Sequence, residues 1–311
     1  MKAPIALVMR EPISGWQQAI ASLLPEERIV PFADLQEDEK AAVEIAVVAN
    51  PDPAEVAELP NLTWIHSLWA GVERLVAELG PKAPPIVRLV DPELGRTMAE
   101  AVLAWTYYIH RGMPTYRMQQ QSAVWQPLPY VKPQDFTVGI LGLGALGVKA
   151  AERLQEADFV VKGWSRSPKT CPGVETFAGN DGLEALLAAS DVVICLVPLT
   201  SETRGLVDAR RLAQFKPGAS IINFARGPVI VEADLVEALD TGRLSHAVLD
   251  VFDTEPLPEQ SPFWAHPKVT VLPHISGPTD RATAAANVAG NIRAYRASGK
   301  MPATVDPVLG Y

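Results

Sequence analysis

Short, mostly unbroken apolar runs recur along the chain and alternate with stretches of helical period. Runs fall at Ile5–Met9, Ile45–Val48, Leu62–Ser67 and Ile86–Val90, then at Val138–Leu141, Val160–Trp164, Asp191–Pro198, Ala219–Phe224, Leu244–Phe252 and Val269–Leu272. Each is too short for a helix and fits a strand buried on both faces of a parallel sheet. Helical spacing falls between them, at Gly15–Leu24, Val72–Leu79, Gly182–Ala189, Thr203–Phe215 and Glu232–Leu239. This alternation predicts an α/β protein with two doubly wound domains. The first is a small flavodoxin-like unit, residues 1–97, to which residues 277–311 return; the second, residues 98–276, is inserted between them. Thr97–Arg111 reads as the helix crossing between domains, with Thr97 and Glu100 forming a capping box. Met113–Pro133 keeps no steady period and reads as an irregular arm for a second subunit. Thr279–Ser298 reads as a final long helix, followed by a tail to Tyr311.

The inserted domain opens on Thr137–Gly147, TVGILGLGALG. Its apolar run ends in Gly142-Leu-Gly144-Ala145-Leu146-Gly147, and helical spacing follows at Val148, Ala151 and Leu154. G-x-G-x-x-G between strand and helix has a mechanical meaning. Gly142 permits the tight turn, Gly144 lets the backbone approach a pyrophosphate, and Gly147 lets helix and strand pack closely. The free N–H groups of the helix start then face the anion. The expected architecture is therefore a Rossmann dinucleotide-binding domain inserted into a substrate domain.

Composition narrows the classes. A chain of 311 residues can bury two cores, and 48% hydrophobic with 20% charged residues is ordinary for a globular protein. A net charge of −9 with no Lys/Arg tract argues against a nucleic-acid partner. No run approaches a membrane span, and the first apolar run is a strand rather than a signal peptide. Two cysteines, Cys171 and Cys195, cannot build a disulfide framework, so a reducing cytoplasm is expected.

The second strand of a dinucleotide fold ends where the adenosine ribose sits, at a residue that is usually acidic. Here it runs into Ser165-Arg166-Ser167-Pro-Lys169. Arg166 can pair with a 2′-phosphate, with Ser167 and Lys169 adding donors, which favours NADPH over NADH; the alternative is a solvated basic loop. Arg226, in Asn223-Phe-Ala225-Arg226-Gly227-Pro228, follows a strand end, where an arginine can grip a carboxylate. Alone it could equally be a surface arginine. Glu255 and His274 each follow a further strand and suit a pair in which the carboxylate keeps the imidazole charged; alone, His274 could be a loop histidine. His66 is taken as packing, and no metal-ligand spacing occurs.

From Trp125 to Ile275 the segments WQPLP, DFTVGILGLGALG, WSRSPK, NFARGP, EADLVEALDTGRL, LDVFDTEPLP, SPFWAHP and PHIS resemble the D-isomer-specific 2-hydroxyacid dehydrogenases. Within that family they are similar to the glyoxylate/hydroxypyruvate reductase A type. The resemblance implies that Arg226 binds substrate, Glu255 is the carboxylate partner and His274 the acid–base. It lines the cofactor with Val197, Pro198, Ala225 and Asp250, and places a substrate loop at Trp69-Ala70-Gly71. Trp69 stands where a small residue is usual and is expected to crowd the site. The implied activity is NADPH-dependent reduction of small 2-ketoacids by a homodimer, the rival being a non-catalytic nucleotide sensor. A sensor would need none of Arg226, Glu255 and His274.

Overall fold

A computed structural model describes residues 2–10 and 13–306; Met1 and the end of the expected tail, residues 307–311, lie outside the described residues. The chain divides into two compact units, one made of the residues up to Glu93 with those from Thr279 onward, the other Leu94–Pro278.

The first unit begins with β1 (Ile5–Met9), α1 (Ile13–Leu23), β2 (Ile29–Pro31), α2 (Glu37–Lys40), β3 (Ile45–Ala49), α3 (Pro53–Ala57), β4 (Trp64–Ser67), α4 (Glu73–Leu79) and β5 (Ile86–Val87). Its strands are all parallel in the order β2-β1-β3-β4-β5. Every residue of β1, β3 and β4 is buried, because alternate side chains feed opposite faces. Ile5, Leu7, Ile45 and Val47 enter one apolar cluster, and Ala6, Val8, Ala46 and Val48 the other.

In the second unit run α5 (Pro92–His110, reaching back into the first), α6 (Met113–Gln121), β6 (Thr137–Leu141), α7 (Ala145–Glu156), β7 (Val160–Ser165), β8 (Glu175–Ala178), α8 (Gly179–Ala189), β9 (Val192–Cys195), α9 (Ala209–Leu212), β10 (Ala219–Asn223), α10 (Glu232–Asp240), β11 (Leu244–Leu249) and β12 (Val269–Val271). Seven parallel strands lie in the order β12-β11-β10-β9-β6-β7-β8. The order reverses at β6, whose C-terminal end is the crevice where such sheets bind ligands. A last helix, α11 (Arg281–Ser298), belongs to the first unit. Asp280 caps it by accepting the Thr283 N–H at 2.9 Å, worth about 1 kcal/mol. Its Ala284, Val288 and Ile292 join Trp16 and Ile20 of α1 in the core.

Several local expectations are corrected. Thr97 does not cap α5: the helix starts at Pro92, where proline is preorganised for the first turn. Asp91 accepts the Glu93 N–H at 2.9 Å, whereas the Thr97 hydroxyl bonds back to Leu94 O at 3.2 Å from inside the helix. Residues 113–133 are not wholly irregular, since α6 occupies the first nine. None of its residues is buried, so it has no apolar stripe to reveal it. The helix expected over Thr203–Phe215 is reduced to α9, because Gly205 takes φ +63° and Asp208 caps a fresh start with its side chain on the Arg211 N–H. Strands β2 and β8 were not foreseen; both are short and lie at sheet edges. Among the described residues, no helix is long and apolar enough to cross a membrane.

Candidate active site

Strand β6 delivers the glycine turn to the crevice, and each glycine has a separate reason. Gly142 adopts φ +107°, and a Cβ on it would lie 2.8 Å from the Leu196 carbonyl oxygen. A Cβ on Gly147 would sit 1.9 Å from Gly142 O, so the first turn of α7 rests directly on the glycine turn. Gly144 is the N-cap of α7, and a Cβ there would meet nothing within 4 Å. That open space lies in front of the unpaired N–H groups of a twelve-residue helix. A diphosphate fits such a cradle. Ala145 and Leu146 form the first turn behind it.

On the other half of the sheet, three adjacent strands, β10, β11 and β12, carry the candidate side chains Arg226, Glu255 and His274 past their C-terminal ends. Asn223, at the end of β10, shapes the turn bearing Arg226: its Oδ1 accepts the Ala225 N–H at 3.1 Å and its Nδ2 donates to Arg226 O at 3.0 Å. Arg226 Nη1 donates to Ala225 O at 2.7 Å. A Cβ on Gly227 would fall 2.0 Å from Phe252 C, so this turn lies in backbone contact with the one leading from β11 to Glu255. There Glu255 Oε1 accepts the Phe252 N–H at 3.0 Å, and Oε2 meets His274 Nδ1 at 2.8 Å.

The electrostatics of the pair follow from that contact. The Glu255 hydrogen bond raises the His274 pKa above its usual value; burial and the Arg226 charge oppose this, and the charges of Glu255 and Asp250 add to it. For Glu255, burial pushes upward, but the bonds from His274 and Phe252 and the positive charges of His274 and Arg226 outweigh it, so its pKa is lowered. The pair therefore favours imidazolium and carboxylate. Nδ1 donates to Glu255, leaving Nε2 to carry a transferable proton.

Asp250 has a role that the sequence did not disclose. It is 2% exposed, and its two oxygens accept the N–H groups of Ile275 at 2.7 Å and Ser276 at 2.9 Å. His274 just before them takes φ +53°, a left-handed conformation unusual for a residue with a Cβ. Such a conformation costs about 1–3 kcal/mol, and hydrogen bonds to a charged group return about 1.5–3 kcal/mol each. Two of them hold the turn. No sequence spacing links an aspartate after one strand to backbone groups after the next.

The remaining expected residues fall into two groups. In the second unit, Val197 and Ala225 are buried, with Pro198 half-buried, in the turns after β9 and β10. Ser165 Oγ donates to Ser167 O at 2.7 Å and shapes the turn after β7. Arg166 Nη1 pairs with Glu202 Oε2 at 2.7 Å, and Lys169 Nζ donates to Leu143 O at 3.0 Å, inside the glycine turn. In the first unit, the loop of Trp69, Ala70 and Gly71 follows β4. The Trp69 ring packs edge-on against Trp16, centroids 6.3 Å apart, so its own unit's core anchors it. His66 is fully buried: Nδ1 meets Ser67 O, Nε2 meets Asn291 Nδ2, and burial lowers its pKa to about 4. It packs as expected, as a neutral ring.

Residues 103–276 match the family model of the D-isomer specific 2-hydroxyacid dehydrogenase, NAD binding domain. The chain belongs to the D-isomer specific 2-hydroxyacid dehydrogenase family. Solved structures agree over the whole length. A D-isomer specific 2-hydroxyacid dehydrogenase from Xanthobacter autotrophicus, in complex with NADPH and MES, is 38% identical at TM-score 0.90, covering 99% of this chain and 100% of that one. The NADPH-dependent glyoxylate/hydroxypyruvate reductase from Sinorhizobium meliloti, in complex with NADP and sulfate, is 34% identical at TM-score 0.91, with 100% of both chains covered. A probable 2-hydroxyacid dehydrogenase from Rhizobium etli, in complex with NADP, HEPES and L(+)-tartaric acid, is 30% identical at TM-score 0.90, again over 100% of both. Family membership joins the resemblance read from NFARGP, LDVFDTEPLP and PHIS to the two-unit α/β fold.

Proposed function

We propose that this dehydrogenase reduces small 2-ketoacids, with glyoxylate and hydroxypyruvate as the first candidates, to D-2-hydroxyacids using NADPH. The observation that carries the proposal is the Glu255–His274 pair, with Arg226 beside it, at the ends of three adjacent strands. The glycine turn of the same sheet fits a dinucleotide: Gly142, Gly144, Ala145, Leu146 and Gly147 would hold its diphosphate, and Arg166 with Ser165, Ser167 and Lys169 its 2′-phosphate. Val197, Pro198 and Ala225 would line it. When bound, the nicotinamide supplies the hydride that the keto carbon receives. His274, kept as imidazolium by Glu255, gives its Nε2 proton to the carbonyl oxygen. Arg226 binds the carboxylate and polarises the carbonyl.

NADP or NADPH in the Xanthobacter, Sinorhizobium and Rhizobium relatives supports the cofactor assignment, and the Sinorhizobium enzyme supports the substrates. A nucleotide sensor would gain nothing from an imidazolium held by its own carboxylate. A homodimer through residues 122–132 is supported by Trp125, 99% exposed, and by Val124 and Tyr130, also exposed; a lone apolar arm in water is costly. Free, buried Cys171 and Cys195 support a cytoplasmic setting.

The test is NADPH consumption with a panel of 2-ketoacids, native against His274→Ala. The variant should lose about 100- to 10,000-fold in rate, the usual worth of a positioned general acid, with cofactor affinity retained. Near-native turnover by His274→Ala, or no turnover of any 2-ketoacid by the native enzyme, would overturn the proposal.

A further inference from the structure

Strands β9 and β7 flank β6, so the turns that follow them stand on either side of the glycine turn. Two strand spacings, about 9–10 Å, separate their axes. One ion pair joins these turns: Arg166, directly after β7, and Glu202, beyond β9, with Nη1 and Oε2 2.7 Å apart. Both side chains are about half exposed, 52% and 61%. The turn bearing Glu202 is well fixed. Thr203 Oγ1 donates to Pro198 O at 2.6 Å, the Thr200 N–H donates to Thr203 Oγ1 at 2.8 Å, and the Arg204 N–H donates to Thr200 O at 3.0 Å. Glu202 is thus presented to Arg166 by a turn that closes on itself, and the pair straps the rim of the cradle.

We infer that Glu202 sets the cofactor preference by competing with the 2′-phosphate for Arg166. This rests on the NADPH assignment above. A guanidinium offers its fork to carboxylate and phosphate with the same geometry. A phosphate approaching Arg166 meets a carboxylate already on it and must displace it, against the repulsion of two anions. NADH brings a neutral 2′-hydroxyl and leaves the pair intact. Glu202 therefore weakens NADPH binding while leaving NADH binding untouched, and the selectivity is lower than Arg166 alone would give.

The pair sets the size of the effect. An exposed ion pair is worth about 0.2–1 kcal/mol, which at 1.4 kcal/mol per tenfold is about 1.4- to 5-fold in affinity. Release from repulsion adds in the same direction. The experiment is fluorescence titration of NADPH and of NADH into native protein, Glu202→Gln, Arg166→Ala and the double variant, without ketoacid. Glu202→Gln should bind NADPH about two- to fivefold tighter and NADH unchanged, and should have no effect in the Arg166→Ala background. If Arg166→Ala loses NADPH affinity but Glu202→Gln leaves it unchanged or weaker, or tightens both cofactors alike, competition by Glu202 is wrong and the NADPH assignment stands. If Arg166→Ala leaves NADPH affinity intact, the assignment falls and the inference with it.

Discussion

Gly227→Ala should disable the site without emptying the cofactor cradle. The alanine Cβ would lie 2.0 Å from Phe252 C and 2.3 Å from both Phe252 O and Asp253 N. All three are backbone atoms, so no side chain can rotate away. Ordinary contact starts at 3.4 Å, and the turns bearing Arg226 and Glu255 must part by more than an ångström. Glu255 reaches His274 by a bond of 2.8 Å, so the displacement passes directly to the proposed proton donor. A misplacement of about 1 Å in a catalytic constellation costs about 100-fold in rate. Overpacking of this kind removes about 1–3 kcal/mol of stability, which a protein of this size survives at room temperature. The assays are kcat/KM for a ketoacid, fluorescence titration of NADPH, and circular dichroism to verify folding. The expected result is a fall of about 100-fold in kcat/KM with NADPH affinity little changed. A folded variant with near-native kcat/KM would refute the coupling of these turns.

Three further outcomes follow from the same geometry. In the proposed mechanism reduction needs protonated His274, and the Glu255 bond raises its pKa, so the native rate should hold above the usual histidine range and fall as pH rises through the raised value. Glu255→Gln leaves burial to pull that pKa down; the falling limb of the pH–rate profile should move to lower pH, and an unmoved limb would break the pairing. Arg226→Lys keeps the charge but loses the fork, so KM for ketoacid should rise and kcat fall together; steady-state kinetics indistinguishable from native would remove Arg226 from the substrate. Gly290, exposed in α11 with nothing within 4 Å of its Cβ position, should accept alanine with a gain of about 0.5–1 kcal/mol, read as a higher Tm at unchanged activity.

Both sheets were legible because their central strands are buried on both faces and so read as unbroken apolar runs such as IALVM and IAVVA. The glycine turn was legible because its three constraints fall within six consecutive residues. Edge elements were not: Glu175–Ala178 in β8 is nowhere fully buried, so its side chains carry little apolar signal. Helix α6 hides for a related reason, having no buried face to impose a period. At the site, the types and strand-end positions of Arg226, Glu255 and His274 could be read directly. The Asp250 clamp could not, because its partners are backbone N–H groups, which look alike in every residue. Nor could the anchoring of Trp69 on Trp16, a contact between residues more than fifty positions apart.

His274, the proposed proton donor, sits beyond β12, which has three residues, pairs with β11 and forms the margin of its sheet. Marginal strands open locally at a free energy below that of global unfolding. A short edge strand thus leads into the proposed proton donor, whose left-handed backbone is held by the bonds from Ile275 and Ser276 to Asp250. Catalytic competence should therefore have its own melting transition, ahead of the fold's. Mild denaturant or warmth would create a population still native by circular dichroism yet unable to protonate substrate, with amide exchange at Ile275 and Ser276 reporting its size. In a cell under heat stress, such molecules would still bind dinucleotide and withdraw it from circulation while turning nothing over.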